Sequence, residues 1–157
     1  MFEVVQNFMR NNYNAKYPHH EFLYKMVVDK SVDTIEEAVQ RLFFALGFKN
    51  KLSGTLFLKE AIVIWCSIPN SKRVMLTSDI YPTVAVTFNS TPWRVERAIR
   101  NTLIDCHRNG RLIYLNDLAL SDVVSTAYVP TNGEFLSVVV AWLRLHFRNR
   151  YRQLSFL

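Results

Sequence analysis

The 157-residue chain is half hydrophobic and 13% aromatic, with 19 Lys and Arg against 13 Asp and Glu. That composition excludes a disordered polyelectrolyte, which lacks apolar residues to bury, and supports one domain of ordinary size with an appended arm. The net charge of +6 and pI near 9.5 fit an acidic partner such as nucleic acid without demanding one.

Residues 1–10 lack the continuous apolar run of a signal peptide. The longest apolar run, Ala61 to Cys66, is too short to cross a bilayer. The expectation is a cytoplasmic protein without a membrane partner. Phe2, Val5, Phe8 and Met9 recur at helical spacing before the polar break Asn11-Asn12-Tyr13-Asn14, and Phe22, Leu23, Met26 and Val27 form a second cluster. Residues 1–31 are therefore predicted to be a helical arm. Its apolar surface, costing about 25 cal/mol per Å² in water, must bury on its own domain or on a second copy. His19 and His20 are adjacent, so a helix would point them in different directions. His107 and His146 have no ligand partner at metal spacing. No metal or cofactor is expected.

From Val32 the pattern is helical, and Gly and Pro are scarce, four and five in all. An all-α fold is predicted, with residues 32–157 as its main domain. Thr34 and Glu37 have capping-box spacing, in which hydroxyl and carboxylate each accept an orphan backbone N–H. Ile35, Val39, Leu42, Phe43 and Leu46 mark one apolar face, and Gly47 is placed to end the helix in a left-handed conformation. A second helix runs from about Thr55 to Trp65 and stops before Pro69. Apolar residues nearly encircle it, as in a central, buried helix. Cys66 and Cys106, forty positions apart in apolar surroundings, read as buried reduced thiols. No GxSxG, Walker A or HExxH pattern occurs, so an enzyme reading has no support.

Residues 79–108 carry the functional signal. Pro82 suits a first helical turn, and a short helix follows through Val84, Ala85, Val86 and Phe88. Asn89 tolerates the left-handed conformation, so Asn89-Ser90-Thr91 reads as a tight turn. Thr91 then caps a second helix with Pro92 at its first position. Two helices joined this way make a helix-turn-helix. At 100° per residue, Val95, Ala98, Ile99, Thr102, Leu103 and Cys106 share one arc. Trp93, Arg94, Glu96, Arg97, Arg100 and Asn101 share the opposite one. Arg forks onto guanine, Asn onto adenine, and a carboxylate accepts from the cytosine amino group, so that face suits the major groove. A solvated face with Arg–Glu pairs at helical spacing is the bland alternative. Further on, Arg144, Arg148, Arg150 and Arg152 follow the last acidic residue, Glu134, with Leu143, Phe147 and Tyr151 at helical spacing beside them. Thr91, Arg108, Arg148 and Arg150 are candidate phosphate contacts, with Arg144 and Arg152 expected beside the same backbone.

Three segments carry a family resemblance: IYPTVAVTFNSTPWRVERAIRNTLIDCHRNGRL at 80–112, PTNGEFLSVVVAWLRL at 130–145 and GTLFLKEAI at 54–62. They resemble, in order, the C-terminal effector-domain family of stage-zero sporulation protein A, with RVERAIR matching its pattern residue for residue. The resemblance covers about residues 35–145. It implies a six-helix DNA-binding domain whose recognition helix contacts an operator box through Arg94, Glu96, Arg97, Arg100 and Asn101. Asn101 stands where the family usually has His, and Pro92-Trp93 replaces a small pair. Trp93 would either pack on the sugar-phosphate chain or obstruct docking. Residues 110–121 resemble the segment that touches the RNA polymerase sigma subunit, but depart from it substantially. Only about thirty residues precede the similarity, too few for the family's receiver domain and its phosphoacceptor aspartate. The resulting expectation is a sequence-specific transcriptional regulator on double-stranded DNA, with a homodimer on tandem sites as a further possibility. The alternative is an interaction module that kept the fold and binds the full-length regulator or polymerase. RNA recognition lacks the aromatic sheet or glycine loop of common RNA modules.

Overall fold

A computed structural model describes residues 3–4, 15–29 and 31–154, with side chains as far as Phe147. The expected stripe Phe2, Val5, Phe8 and Met9 lies outside them. Among the described residues the regular structure is helical throughout: α1 (His20–Val27), α2 (Ile35–Ala45), α3 (Ser53–Ser67), α4 (Tyr81–Thr87), α5 (Pro92–Arg108), α6 (Tyr114–Ala119) and α7 (Asn132–Leu154). A π-helical turn, Leu76–Ile80, runs directly into α4. The all-α fold is as the composition and periodicity require, with α2 to α7 following residue 32 and α1 in the arm among the described residues.

Caps set the helix ends. Thr34 Oγ1 accepts from Glu37 N at 3.2 Å and starts α2. The Glu37 carboxylate does not complete the expected box; it accepts instead from Arg41 Nη2 at 3.4 Å, one turn on. Gly47, at φ +73°, closes α2. Phe48 N donates to Phe43 O and Gly47 N to Phe44 O, the paired bonds of a left-handed C-terminal cap. Phe43 and Phe48 stack at 4.4 Å between ring centroids, giving that cap its apolar contact. Asn89, at φ +50°, does the same for α4, with Ser90 N on Ala85 O at 2.8 Å. The tight turn predicted there is the turn observed.

Helix α3 is central. It packs against α2, α4, α5 and α7, and it buries Phe57, Leu58, Ala61, Ile62 and Cys66. Gly54 lets it approach α5 closely: a Cβ there would collide with Thr102 Oγ1 and the Ala98 carbonyl. At its other end, Arg144 of α7 donates to the Trp65 and Ile68 carbonyls at 2.8 and 2.5 Å and to Asn70 Oδ1. That guanidinium therefore caps the C-terminus of α3, where unpaired carbonyls concentrate negative charge, rather than lying free beside a phosphate chain.

Helix α1 packs on α2 and α6, burying Leu23 and Val27 in the common core. Of the cluster expected here, Leu23 and Val27 bury on their own chain with Met26 packed against them, whereas Phe22 stays 68% exposed. His20 Nδ1 lies 2.8 Å from the Asp117 carbonyl, and Tyr24 meets Trp142 and His146 of α7 edge-on. The loop after α6 is held by the buried Asn116. Its Oδ1 accepts from Val123 N and Val124 N at 2.8 and 2.7 Å, and its Nδ2 donates to Val124 O at 2.8 Å. No described helix is long and apolar enough to cross a membrane.

Candidate nucleic-acid interface

Helix α5 begins as its sequence dictates. Thr91 is extended and its hydroxyl accepts from Arg94 N at 3.3 Å, with Pro92 in the first turn. Val95, Ile99, Thr102, Leu103 and Cys106 are buried and Ala98 is half-buried, so the apolar arc faces α3 and α4. Burial pushes the Cys106 thiol up to about 12, with Asp105 adding to the effect, and its sulfur donates to the Leu46 carbonyl at 3.3 Å. That thiol is a packing group.

The opposite arc is presented to solvent. Trp93, Arg94, Glu96, Arg97, Asn101 and Arg108 are all exposed, as is the cap Thr91. Trp93 remains 63% exposed, with the Arg97 guanidinium over its ring at 5.2 Å. This cation–π contact, one helical turn apart, stiffens both side chains on the outer face. The Arg–Glu pairs of a merely solvated helix do not form: among the described residues, no salt bridge involves Arg94, Arg97, Arg100 or Arg108. Their charges stay available to an external anion.

Arg100 differs from its neighbours. It is half-buried, and its Nη1 donates to the Pro130 carbonyl at 2.6 Å. One of its five N–H donors is thus committed, leaving four. The same seam continues at Asn132, whose Nδ2 lies 3.2 Å from both the Glu96 carbonyl and the Tyr81 hydroxyl. Asn132 Oδ1 is buried without a partner. Burial holds the Tyr81 hydroxyl above its usual range, so it stays protonated and available to this contact. Two turns further along the same edge, His107 Nε2 lies 2.8 Å from the Ser125 carbonyl, and elsewhere on the helix Asp105 pairs with Lys49 at 3.3 Å. Neither the Asn132 clamp nor the course of residues 125–130 is signalled by periodicity. The phosphate-contact candidates Arg148 and Arg150 lie on α7 outside the described side chains, about 24 and about 27 Å along that helix from Asn132.

Two helices, a tight turn and an unpaired basic outer face on the second are the features of a DNA-reading domain. The model of the family described as "Sporulation initiation factor Spo0A C terminal" matches residues 39–143. The chain belongs to this family. No solved structure matches it. The matched residues of this Spo0A C-terminal domain run from α2 well into α7 and include all of α4 and α5. Its class is therefore the DNA-binding effector domain of a sporulation regulator, and the family is one of transcription factors rather than enzymes.

Proposed function

We propose that the chain is a sequence-specific regulator whose helix α5 lies in the major groove of an operator. The observation that carries this is the outer face of α5, where Arg94, Arg97 and Asn101 are exposed and, among the described residues, no carboxylate pairs the arginines. Arg97, stiffened by Trp93, is suited to bidentate contact with guanine. Asn101 is suited to adenine, and Glu96 to a cytosine amino group. Arg100 reaches the same groove with its remaining donors. Thr91 and Arg108, at the two ends of the helix, lie where the sugar-phosphate chains pass, and Trp93 packs against the nearer one. Arg148 and Arg150 would add contacts to flanking phosphates without reading sequence.

Duplex DNA is the partner proposed. For a sigma-subunit contact through residues 110–121, α1 packs on α6 and leaves Gly110, Arg111 and Ser121 as the exposed part of that segment. Two copies on tandem boxes would gain affinity through effective concentration alone. Selection of bound sites from random duplexes by the purified chain tests the reading. A single enriched motif is expected. No enrichment even at low salt would exclude it and favour the interaction module that binds the full-length regulator or polymerase. Comparing one box with two, with light scattering of the bound species, decides whether copies assemble in tandem.

A further inference from the structure

The segment 125–130 is fastened along one flank of α5 at two points. His107 and Arg100 lie two turns apart on the same edge of the exposed face, about 10 Å along the axis. His107 holds the Ser125 carbonyl and Arg100 the Pro130 carbonyl. Asn132 carries the seam a further turn, to the Glu96 carbonyl. The segment thus runs antiparallel to α5, and Asn116 secures its upstream end through Val123 and Val124. Ser125 Oγ accepts from Ala127 N at 3.0 Å, tightening the first turn of the strap. Between the anchors Thr126, Ala127 and Tyr128 are exposed, and Tyr128 is 61% accessible despite its large ring.

A helix with its side chains is about 10–12 Å across, and the major groove is about 12 Å wide. A helix seated in the groove therefore fills it, and whatever is fastened to its flank meets the groove wall, a sugar-phosphate strand. We propose that residues 125–130 form a second duplex-contacting element, in which the Thr126 and Tyr128 hydroxyls donate to phosphate oxygens of one strand. Arg100 and His107 are its positioning residues. The inference rests on α5 being the recognition helix. The strap carries no charge, so it orients the domain and adds affinity on every sequence alike, releasing no counterions of its own.

Affinity for the selected operator and for an unrelated duplex, each measured across a salt series with the full chain, tests this. The double variant Thr126→Val with Tyr128→Phe removes both hydroxyls and leaves the fold's anchors in place. It should weaken both duplexes about fivefold to tenfold with an unchanged salt slope. Tyr128→Lys should tighten both and steepen the slope by about one. His107→Ala should lose the same factor as the double variant, and His107→Gln, which keeps a donor, should recover it at equal thermal stability. Wild-type binding that none of these changes alters overturns the strap and leaves the α5 reading standing. A wild-type chain that binds no duplex at low salt removes both.

Discussion

Arg97 and Arg100 are the same residue type on the same helix face, yet their surroundings give them different tasks. Arg97 is exposed and stacked on Trp93, whereas Arg100 is half-buried on a carbonyl. Arg97→Ala should cost about 1–3 kcal/mol of binding and relax preference at one base pair. Arg100→Ala should cost a similar amount and also free the Pro130 anchor, raising protease cleavage within 125–130. Competition against operators with single base changes, together with limited proteolysis, checks both. Unchanged affinity in the two variants would reject the proposed interface. Cys106 offers a control on packing. With its thiol pushed up to about 12, almost no thiolate exists at neutral pH, and the thiolate is the reactive form. Cys106 should react with a thiol reagent only at the rate of unfolding, as a time course in rising urea would show.

At the scale of elements, the placing of α5 depends on how closely α3 approaches it. Gly54 is in a helix and needs no special φ; what it supplies is the absence of a side chain facing Ala98 and Thr102. The obstructing Ala98 atoms are backbone, which cannot swing aside. Gly54→Ala should therefore destabilise the domain by about 1–3 kcal/mol, as overpacking does, outweighing the better helix propensity of Ala. Urea unfolding measures this; an equal or higher midpoint would mean that α3 and α5 separate at little cost. Because α5 would shift as a body, specific affinity should fall more than non-specific affinity. The Arg144 cap on α3 is a second interelement device, tying α7 to the carbonyls of Trp65 and Ile68.

At the scale of the molecule, α1 is joined to the rest through a histidine-rich seam. His146 stacks near Trp142 and Tyr24, and His20 bonds to α6. His19 lies edge-on to Tyr114, and Lys16 pairs with Asp122. Burial, and then the nearby His20, hold His146 below its ordinary value of 6.5. Its unfolded form therefore takes up protons first. The stability it contributes is present above that ordinary value and is lost as pH falls through the lower folded value. Asp117 has the opposite sign: burial raises it above 3.8, so its contribution is greatest in acid and is lost as pH rises through its folded value. Lowering pH from near neutrality should thus reduce the melting temperature through His146. His146→Phe, which keeps the ring between Tyr24 and Trp142, should flatten that slope. A slope identical to wild type would exclude His146 as its source.

The chain's own order of residues determined the parts that depend on near neighbours. Thr91 and Pro92 start α5, Gly47 and Asn89 end their helices, and a 3.6-residue period divides α5 into a buried and an outer face. Each needs only residues within a turn or two, so the pattern is written locally. Local pattern failed where two acceptable partners competed. Glu37 has capping-box spacing, yet it bonds Arg41, an available cation one turn on. The π-helical turn before α4 and the short helix α6 were not legible either, having no extended apolar period. Tertiary structure alone decided the rest. Arg100 meets Pro130 from 30 positions away, and Arg144 meets Trp65 from 79. Carbonyl groups are identical along every chain, so nothing in the order of side chains marks which of them a guanidinium will cap. Packing brings the partners together, and a buried donor that arrives there bonds the acceptor within reach because leaving either unpaired costs more.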